Sequence, residues 1–344
     1  MQQTPQIEAT MEQPPCWLCG REGQVLHASL RDRHFGVPGE WDILRCRDCE
    51  CTWLSPLPRA ADIAGFYDNY YTHSDRATPT VPTGRARLMK LAVPAVVMGH
   101  PLPMTRAERV AARLLSLVGP VRDMAAPLMW IEGKEHGRLL DVGCGNGQLL
   151  VRMRALGWEV AGVEPDAAAC QVAREACGLE VVTGALAAAD LAPEQWDVVT
   201  ANHVLEHVLD PVAMLQDCAR LLRPGGKLVV TTPNIRSLAC DHFKSAWLHW
   251  DPPRHIHCFG PRALQTCAER AGLEVERVVT GADLARATWW ASRRLRETGL
   301  LPGIKIEPEG IMQLAQGAAF WLAEYALSRF FACGENLALV ARKA

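Results

Sequence analysis

Little in this chain directs it out of the cell or into a bilayer. Its first fifteen residues, MQQTPQIEATMEQPP, hold no apolar core of the kind a secretory signal needs, so a cytoplasmic protein is expected. The stretch from residue 85 to 129 is apolar and partly helical, but Pro94, Pro101 and Pro103 interrupt it too often for a membrane span. Charge of one sign is lacking as well. Lys and Arg number 36 against 38 Asp and Glu, a net charge of −2, which offers no general attraction to nucleic acid. Cysteine, by contrast, is plentiful at thirteen. The number is odd and no export signal precedes it, so reduced thiols plus a metal site are expected rather than a disulfide framework. A length of 344 residues with 49% hydrophobic content allows two domains or one enlarged domain around a sizeable core.

The metal site is expected at Cys16, Cys19, Cys46 and Cys49, two C-x-x-C pairs separated by 26 residues. Each pair turns two thiolates toward one point, and two such knuckles complete a tetrahedral zinc site. Gly20 can take the positive φ that turns backbone amides toward the sulfurs. The intervening stretch is polar and Gly-rich, so metal binding is expected to supply much of this ribbon's folding free energy, on the order of 10 kcal/mol. Iron on the same ligands and a redox-active dithiol remain open, and Cys51 reads as a spare thiol. Residues 1–60 carry six Arg and eight acids. That acidity favours a structural or substrate-shaping module over RNA recognition, which needs a basic face.

The second feature is LLDVGCGNGQLL, residues 139–150. An apolar run ends at Asp141, and Gly143, Gly145 and Gly147 alternate before a helix-like segment. Glycines here let backbone N–H groups approach a ligand closely. The third glycine comes one residue too early for a dinucleotide fingerprint. Downstream, WEVAGVEPD (158–166), LEVVTG (179–184), WDVVTANHVLEHVLDP (196–211) and LLRPGGKLVVTTPN (221–234) read as buried parallel strands alternating with helices. Glu164 at the tip of the second strand can accept both hydroxyls of a ribose.

Taken together, DVGCGNG, GVEPD, HVLEHVLDP and LRPGGKLVVTTPN resemble the class I S-adenosylmethionine (SAM) methyltransferases, in the group that includes ubiquinone-biosynthesis O-methyltransferases. The likeness covers residues 137–280, with a return at 334–342. It implies an α/β Rossmann-like sheet, SAM as cofactor, and cofactor contacts from Asp141, Gly143, Gly145, Gly147, Glu164, Asn202 and His203. In that family the sixth and seventh strands form a hairpin. GLEVERVVTGAD (272–283) and ENLALVARKA (335–344) fit these, so residues 284–331 are an insertion. Its segment 311–332 reads as a helix apolar over most of its circumference, to be buried against residues 85–129, in a homodimer or on a membrane surface. The expected organisation is a zinc ribbon at 1–60, a helical and linker region at 61–136, and a methyltransferase domain at 137–344.

A hydroxyl acceptor must lose a proton, a task suited to histidine. His203 and His207 follow the fourth strand, while His249, His255 and His257 lie in HWDPPRHIHCF after the fifth. His255 and His207 are the catalytic candidates, with Arg254 as a possible substrate anchor. The competing expectation makes residues 252–254 a rigid buttress. The resemblance adds a further alternative, because some relatives hold a divalent cation with acid-x-x-Glu-His. Here that would be His203, Glu206 and His207, joined by His255 or His257. The aromatic cluster Phe66, Tyr67, Tyr70 and Tyr71 either packs on the core or covers the cofactor pocket. The expected function is methylation of a small molecule, sugar or lipid-linked hydroxyl. An RNA methyltransferase and a non-catalytic SAM-binding scaffold are the alternatives.

Overall fold

In the computed structural model, residues 15–67, 78–122, 130–133, 137–301, 308 and 310–344 are described. Strands Gly23–Leu30 (β1), Trp41–Cys46 (β2) and Thr52–Ser55 (β3) make an antiparallel ribbon between and beyond the cysteine pairs. Polar and Gly-rich, this stretch does not build a core by itself. Leu30, Trp41, Ile43 and Leu44 are all buried, because the ribbon finds apolar partners outside itself. Leu30, Trp41 and Ile43 pack with Trp247, Trp250 and Leu295. Leu18, Leu44 and Trp53 join the core that contains Leu140, Leu205 and Phe259. Full burial of each such side chain contributes about 1.5–3 kcal/mol, so the ribbon's attachment rests on several of them.

The main sheet is built from Arg138–Val142 (β4), Glu159–Glu164 (β5), Glu180–Thr183 (β6), Trp196–Asn202 (β7) and Leu222–Pro233 (β8). After the short strand His257–Cys258 (β9), it is completed by Leu273–Gly281 (β10) and Asn336–Lys343 (β11). The order is β10-β11-β8-β7-β4-β5-β6. Strands β4 to β8 pair in parallel, and β11 alone runs antiparallel to both neighbours. This is a doubly wound sheet closed by a reversed strand. Val and Leu runs produce it because parallel strands are covered on both faces; Leu139, Leu140, Val198, Val199, Leu228 and Val230 are almost wholly buried.

Nine helices of six residues or more lie among the described residues, and four of them begin at a capping side chain, Thr105, Asp166, Asp210 or Ser237. The nine are Val93–Met98 (α1), Arg106–Ser116 (α2), Gln148–Ala155 (α3), Ala167–Cys177 (α4), Pro211–Leu221 (α5), Leu238–Phe243 (α6), Pro261–Arg270 (α7), Ala285–Thr298 (α8) and Ile311–Leu327 (α9). Asp166 accepts the Ala168 N–H at 2.8 Å to start α4, and Asp210 accepts the Ala213 N–H at 2.9 Å before Pro211 at the first position of α5. No helix among the described residues is long and apolar enough to cross a membrane.

Two features depart from the sequence reading. Strand β9 pairs with β3, setting Cys258 opposite Thr52 and His257 opposite Trp53. The segment after β8 therefore finishes the ribbon's own sheet. The apolar helix α9, expected to be buried against residues 85–129, packs mainly on α8, where Trp290 lies against Gly317 and Trp289 against Phe320, and meets residues 85–129 where Tyr325 lies against Gly119. One side of it stays exposed, with Gly317 and Glu324 its only buried residues.

Candidate active site and metal centre

The glycine loop joins β4 to α3 at the carboxyl edge of the sheet. Gly143, Gly145 and Gly147 all take positive φ, at +70°, +54° and +86°, but their surroundings differ. A Cβ at Gly143 would meet Val204 at 2.4 Å, and one at Gly147 would meet Leu179 at 2.3 Å; at Gly145 nothing lies within 4 Å. Gly143 and Gly147 permit packing, while Gly145 leaves a cradle. Glu164 closes it. Its Oε2 accepts the Gly145 N–H at 2.8 Å and its Oε1 the Asp166 N–H at 2.9 Å. Asp141 is buried beneath and accepts the Thr200 hydroxyl at 2.6 Å. Burial, helped by the Glu164 charge, raises its carboxyl to about 7. An open cradle between a strand-tip carboxylate and a buried acid fits SAM. The Glu164 carboxylate suits ribose hydroxyls, and the Gly145 backbone lies open to the cofactor.

Asn202 and His203 stand at the tip of β7. The Asn202 Oδ1 accepts the Thr231 hydroxyl, and His203 takes φ +54° while its N–H donates to Thr231 O at 2.9 Å. Val204, the next residue, lies against Gly143, so this tip borders the glycine loop. The His203 Nδ1–H donates to Glu206 Oε1 at 3.1 Å. Glu206 is 0% exposed. Burial alone pushes its carboxyl up, but the His203 hydrogen bond and the charges of three histidines hold it at about 2. Its other oxygen, Oε2, is buried with no hydrogen-bond partner among the described residues.

A carboxylate oxygen of Glu206 belongs to a group formed with His207 and His255, whose ligand-capable atoms lie within 4.8 Å of one another. The His207 Nδ1 faces two oxygens, the Arg254 carbonyl at 3.1 Å and the Tyr67 hydroxyl at 2.9 Å. A carbonyl only accepts, so Nδ1 carries the proton and the neutral ring keeps its lone pair on Nε2. His255 is set the same way, its Nδ1–H donating to the His249 carbonyl at 2.8 Å. Burial, reinforced by the neighbouring His255, lowers His207 to about 4, so its ring is neutral near pH 7. The two rings meet edge to face at 4.7 Å.

Arg254, the candidate substrate anchor, has its guanidinium taken up by carboxylates of the chain itself. It is 1% exposed and lies between two carboxylates. Its Nη1 and Nη2 donate to Asp32 of the ribbon at 2.9 and 2.8 Å, and its Nε donates to Asp251 Oδ2 at 2.9 Å. It ties the loop that carries His255 to the ribbon. His257 does not join the histidine group either. It donates to the Leu209 carbonyl at 3.3 Å and lies 4.6 Å from the Trp17 ring. Two contributors escaped the sequence reading. Asp32 gave no signal, being an acid in a polar turn far along the chain. Tyr67 was legible only as a member of an aromatic cluster, whose Tyr70 and Tyr71 lie outside the described residues.

Cys16, Cys19, Cys46 and Cys49 converge as expected. Their sulfurs all lie within 4.8 Å of one another, and Cys16–Cys49 and Cys19–Cys46 are each 3.4 Å apart. Tetrahedral zinc with ordinary Zn–S bonds spaces its sulfurs by about 3.8 Å, so the donor set and its size fit zinc. The Cys51 thiol beside Cys16 stabilises its charge and, against the effect of burial, pulls it down to about 5.

The profile of the methyltransferase-domain family matches residues 108–278. The chain is 37% identical over 164 residues to a ubiquinone biosynthesis O-methyltransferase of Cereibacter sphaeroides, covering 44% of this chain and 65% of that protein. With the enzyme of the same name from Thiobacillus denitrificans it shares 35% over 175 residues, 46% of this chain and 73% of the relative. The chain thus spans just under two thirds of the length of the Cereibacter sphaeroides relative. A SAM-dependent methyltransferase from Archaeoglobus fulgidus overlays it at a TM-score of 0.42 and 20% identity, covering 66% of this chain and 94% of that one. With its sheet order, glycine cradle and sequence relatives in agreement, the chain belongs to the class I SAM-dependent methyltransferase family.

Proposed function

We propose that the protein transfers a methyl group from SAM to a hydroxyl of a small molecule, with His255 and His207 as the proton-accepting pair. The observation that carries this reading is the convergence of two Nδ1-protonated imidazoles beside Glu206 at the same sheet edge as the glycine cradle. The sulfonium of bound SAM supplies an electrophilic methyl, so the chain's own task is to orient the acceptor and remove its proton. His255 Nε2 accepts that proton, and the Asp32–Arg254–Asp251 buttress holds the ring in place. Glu206, beside both rings, stabilises the positive charge that develops. Glu164 and the Gly145 backbone hold the cofactor, while Asn202 and His203 wall its pocket. The names of the relatives support a hydroxyl acceptor, and the acidic ribbon opposes RNA.

The unpartnered Glu206 Oε2 favours a second reading, in which Glu206, His207 and His255 hold a divalent cation that binds the acceptor oxygen. Methyl transfer from labelled SAM into a metabolite extract, with mass analysis of the product, tests the function. As a base, His255→Ala should lower turnover by about 10²–10⁴ while sparing SAM affinity. Loss of activity on chelation, restored by a divalent ion with the ribbon's zinc intact, selects the cation. Unchanged turnover in both His255→Ala and His207→Ala would refute both readings.

A further inference from the structure

Helix α9 is the most apolar helix of the insertion and the least covered. Ile311, Met312 and Leu322 are 86%, 71% and 51% exposed, and the turn that follows adds Phe330 at 83%. The helix's one charged residue, Glu324, is buried, so its exposed side carries no charge. A second segment meets this side. The Tyr325 hydroxyl lies so close to Gly119 that a Cβ there would overlap it, and Arg329 stacks on the Tyr325 ring at 4.5 Å. Just before Gly119, α2 ends in Leu117 and Val118, 81% and 48% exposed. Two stretches far apart in sequence thus carry uncovered apolar residues to either side of the Tyr325–Gly119 contact.

The charge around that surface identifies what covers it. Residues 85–122 carry six arginines and one lysine against a single acid, Glu108, in a chain whose net charge is −2. Glu108 is already paired with Arg87. Along α2, exposed Arg106, Arg109 and Arg113 flank exposed Val110 and Leu114 at helical spacing, and none of the three arginines is in an ion pair among the described residues. A self-complementary contact between two copies would set this excess positive charge against itself. An anionic bilayer surface would meet both the apolar residues and the cationic rim. We propose that α2, α9 and the turn at Arg329–Phe331 form a peripheral docking face for anionic lipid membranes. The face lies outside the glycine cradle and the histidine group, so this proposal stands or falls independently of the methyl-transfer reading.

Co-sedimentation of the full chain with vesicles tests it. Binding is expected to phosphatidylcholine vesicles containing phosphatidylglycerol, to weaken as salt rises, and to be at least tenfold poorer to phosphatidylcholine alone. Replacing Arg106, Arg109 and Arg113 together by Gln should weaken anionic-vesicle binding by ~100-fold, at about fivefold per charge. Leu117→Ser with Phe330→Ser should weaken it by ~10-fold or more. Both variants change only exposed side chains, and retained circular dichroism and SAM binding certify their folds. No binding to anionic vesicles, or binding that neither variant alters, overturns the proposal. So does a dimer that Leu117→Ser with Phe330→Ser dissociates in the absence of vesicle binding, since the face would then belong to a second copy.

Discussion

Glu164 and Asp32 show how differently single residues can be legible. Glu164 was readable because a strand tip followed by a helix leaves few places for an acid, and its carboxylate holds the glycine loop as well as facing the cradle. Glu164→Ala should therefore lower SAM affinity by roughly ten- to a hundredfold, the loss of a charged acceptor, measurable by calorimetry. Asp32 was invisible, since its meaning depends on Arg254, which lies 222 positions further along the chain. It also accepts the N–H groups of His34, Phe35 and Val37, at 2.9, 3.0 and 3.0 Å, so it shapes the ribbon's turn while holding the buttress. Asp32→Asn leaves Arg254 neutralised by Asp251 alone but removes a charged acceptor of its Nη1 and Nη2 hydrogen bonds, which should cost about 1.5–3 kcal/mol in stability. Turnover at saturating SAM should fall with it, because His255 loses its support. A variant with normal urea midpoint and normal turnover would show that the triad does neither task.

At the scale of elements, the strands and the knuckles were legible, and their attachments were not. Periodicity and turn residues report what a segment does locally, so β4 to β8, β10 and β11 could be read directly from Val/Leu runs and Gly or Pro punctuation. The pairing of β3 with β9 had no such signal. Two short strands distant in sequence meet only because Trp53 and Phe259 share one core. The same limit explains α9, whose apolar circumference announced a buried helix although the fold covers one side of it. Strand pairing gives the ribbon a consequence beyond its own stability. The protein should hold about one zinc per chain at Cys16, Cys19, Cys46 and Cys49. Cys16→Ser or Cys49→Ser should lose the metal and loosen β1 to β3. Because β3 abuts the segment that carries His255, turnover should drop at least as steeply as SAM affinity. Metal analysis with paired calorimetry and activity assays checks this; full turnover in a metal-free variant would separate the ribbon from the site.

Across the whole molecule, the seam between ribbon and sheet is lined with histidines kept neutral by burial. His207 and His257 are each lowered to about 4, and His249 and His34 are lowered for the same reason. A histidine with a folded value below its unfolded value of about 6.5 binds its proton more readily in the unfolded chain. Its contribution to stability is therefore complete above about pH 6.5 and is lost as pH falls toward 4. His203, raised overall by its bond to Glu206 although burial opposes the shift, acts in the other direction. Its contribution is present below its unfolded value and fades as pH rises through the folded one. The lowered group is the larger, so acidification should destabilise the seam. Each of His207 and His257 should contribute up to about 3 kcal/mol of the loss. Between about pH 7 and about pH 5 the seam histidines lower the urea midpoint, against the rise that the buried carboxyls of Asp141, Glu324 and Glu335, all raised by burial, contribute over the same range. His257→Gln, which keeps a donor for the Leu209 carbonyl but cannot take up a proton, should remove part of that lowering. A His257→Gln variant whose midpoint follows the same pH course as the unaltered protein would mean that His257 takes up its proton as readily in the folded chain as in the unfolded one.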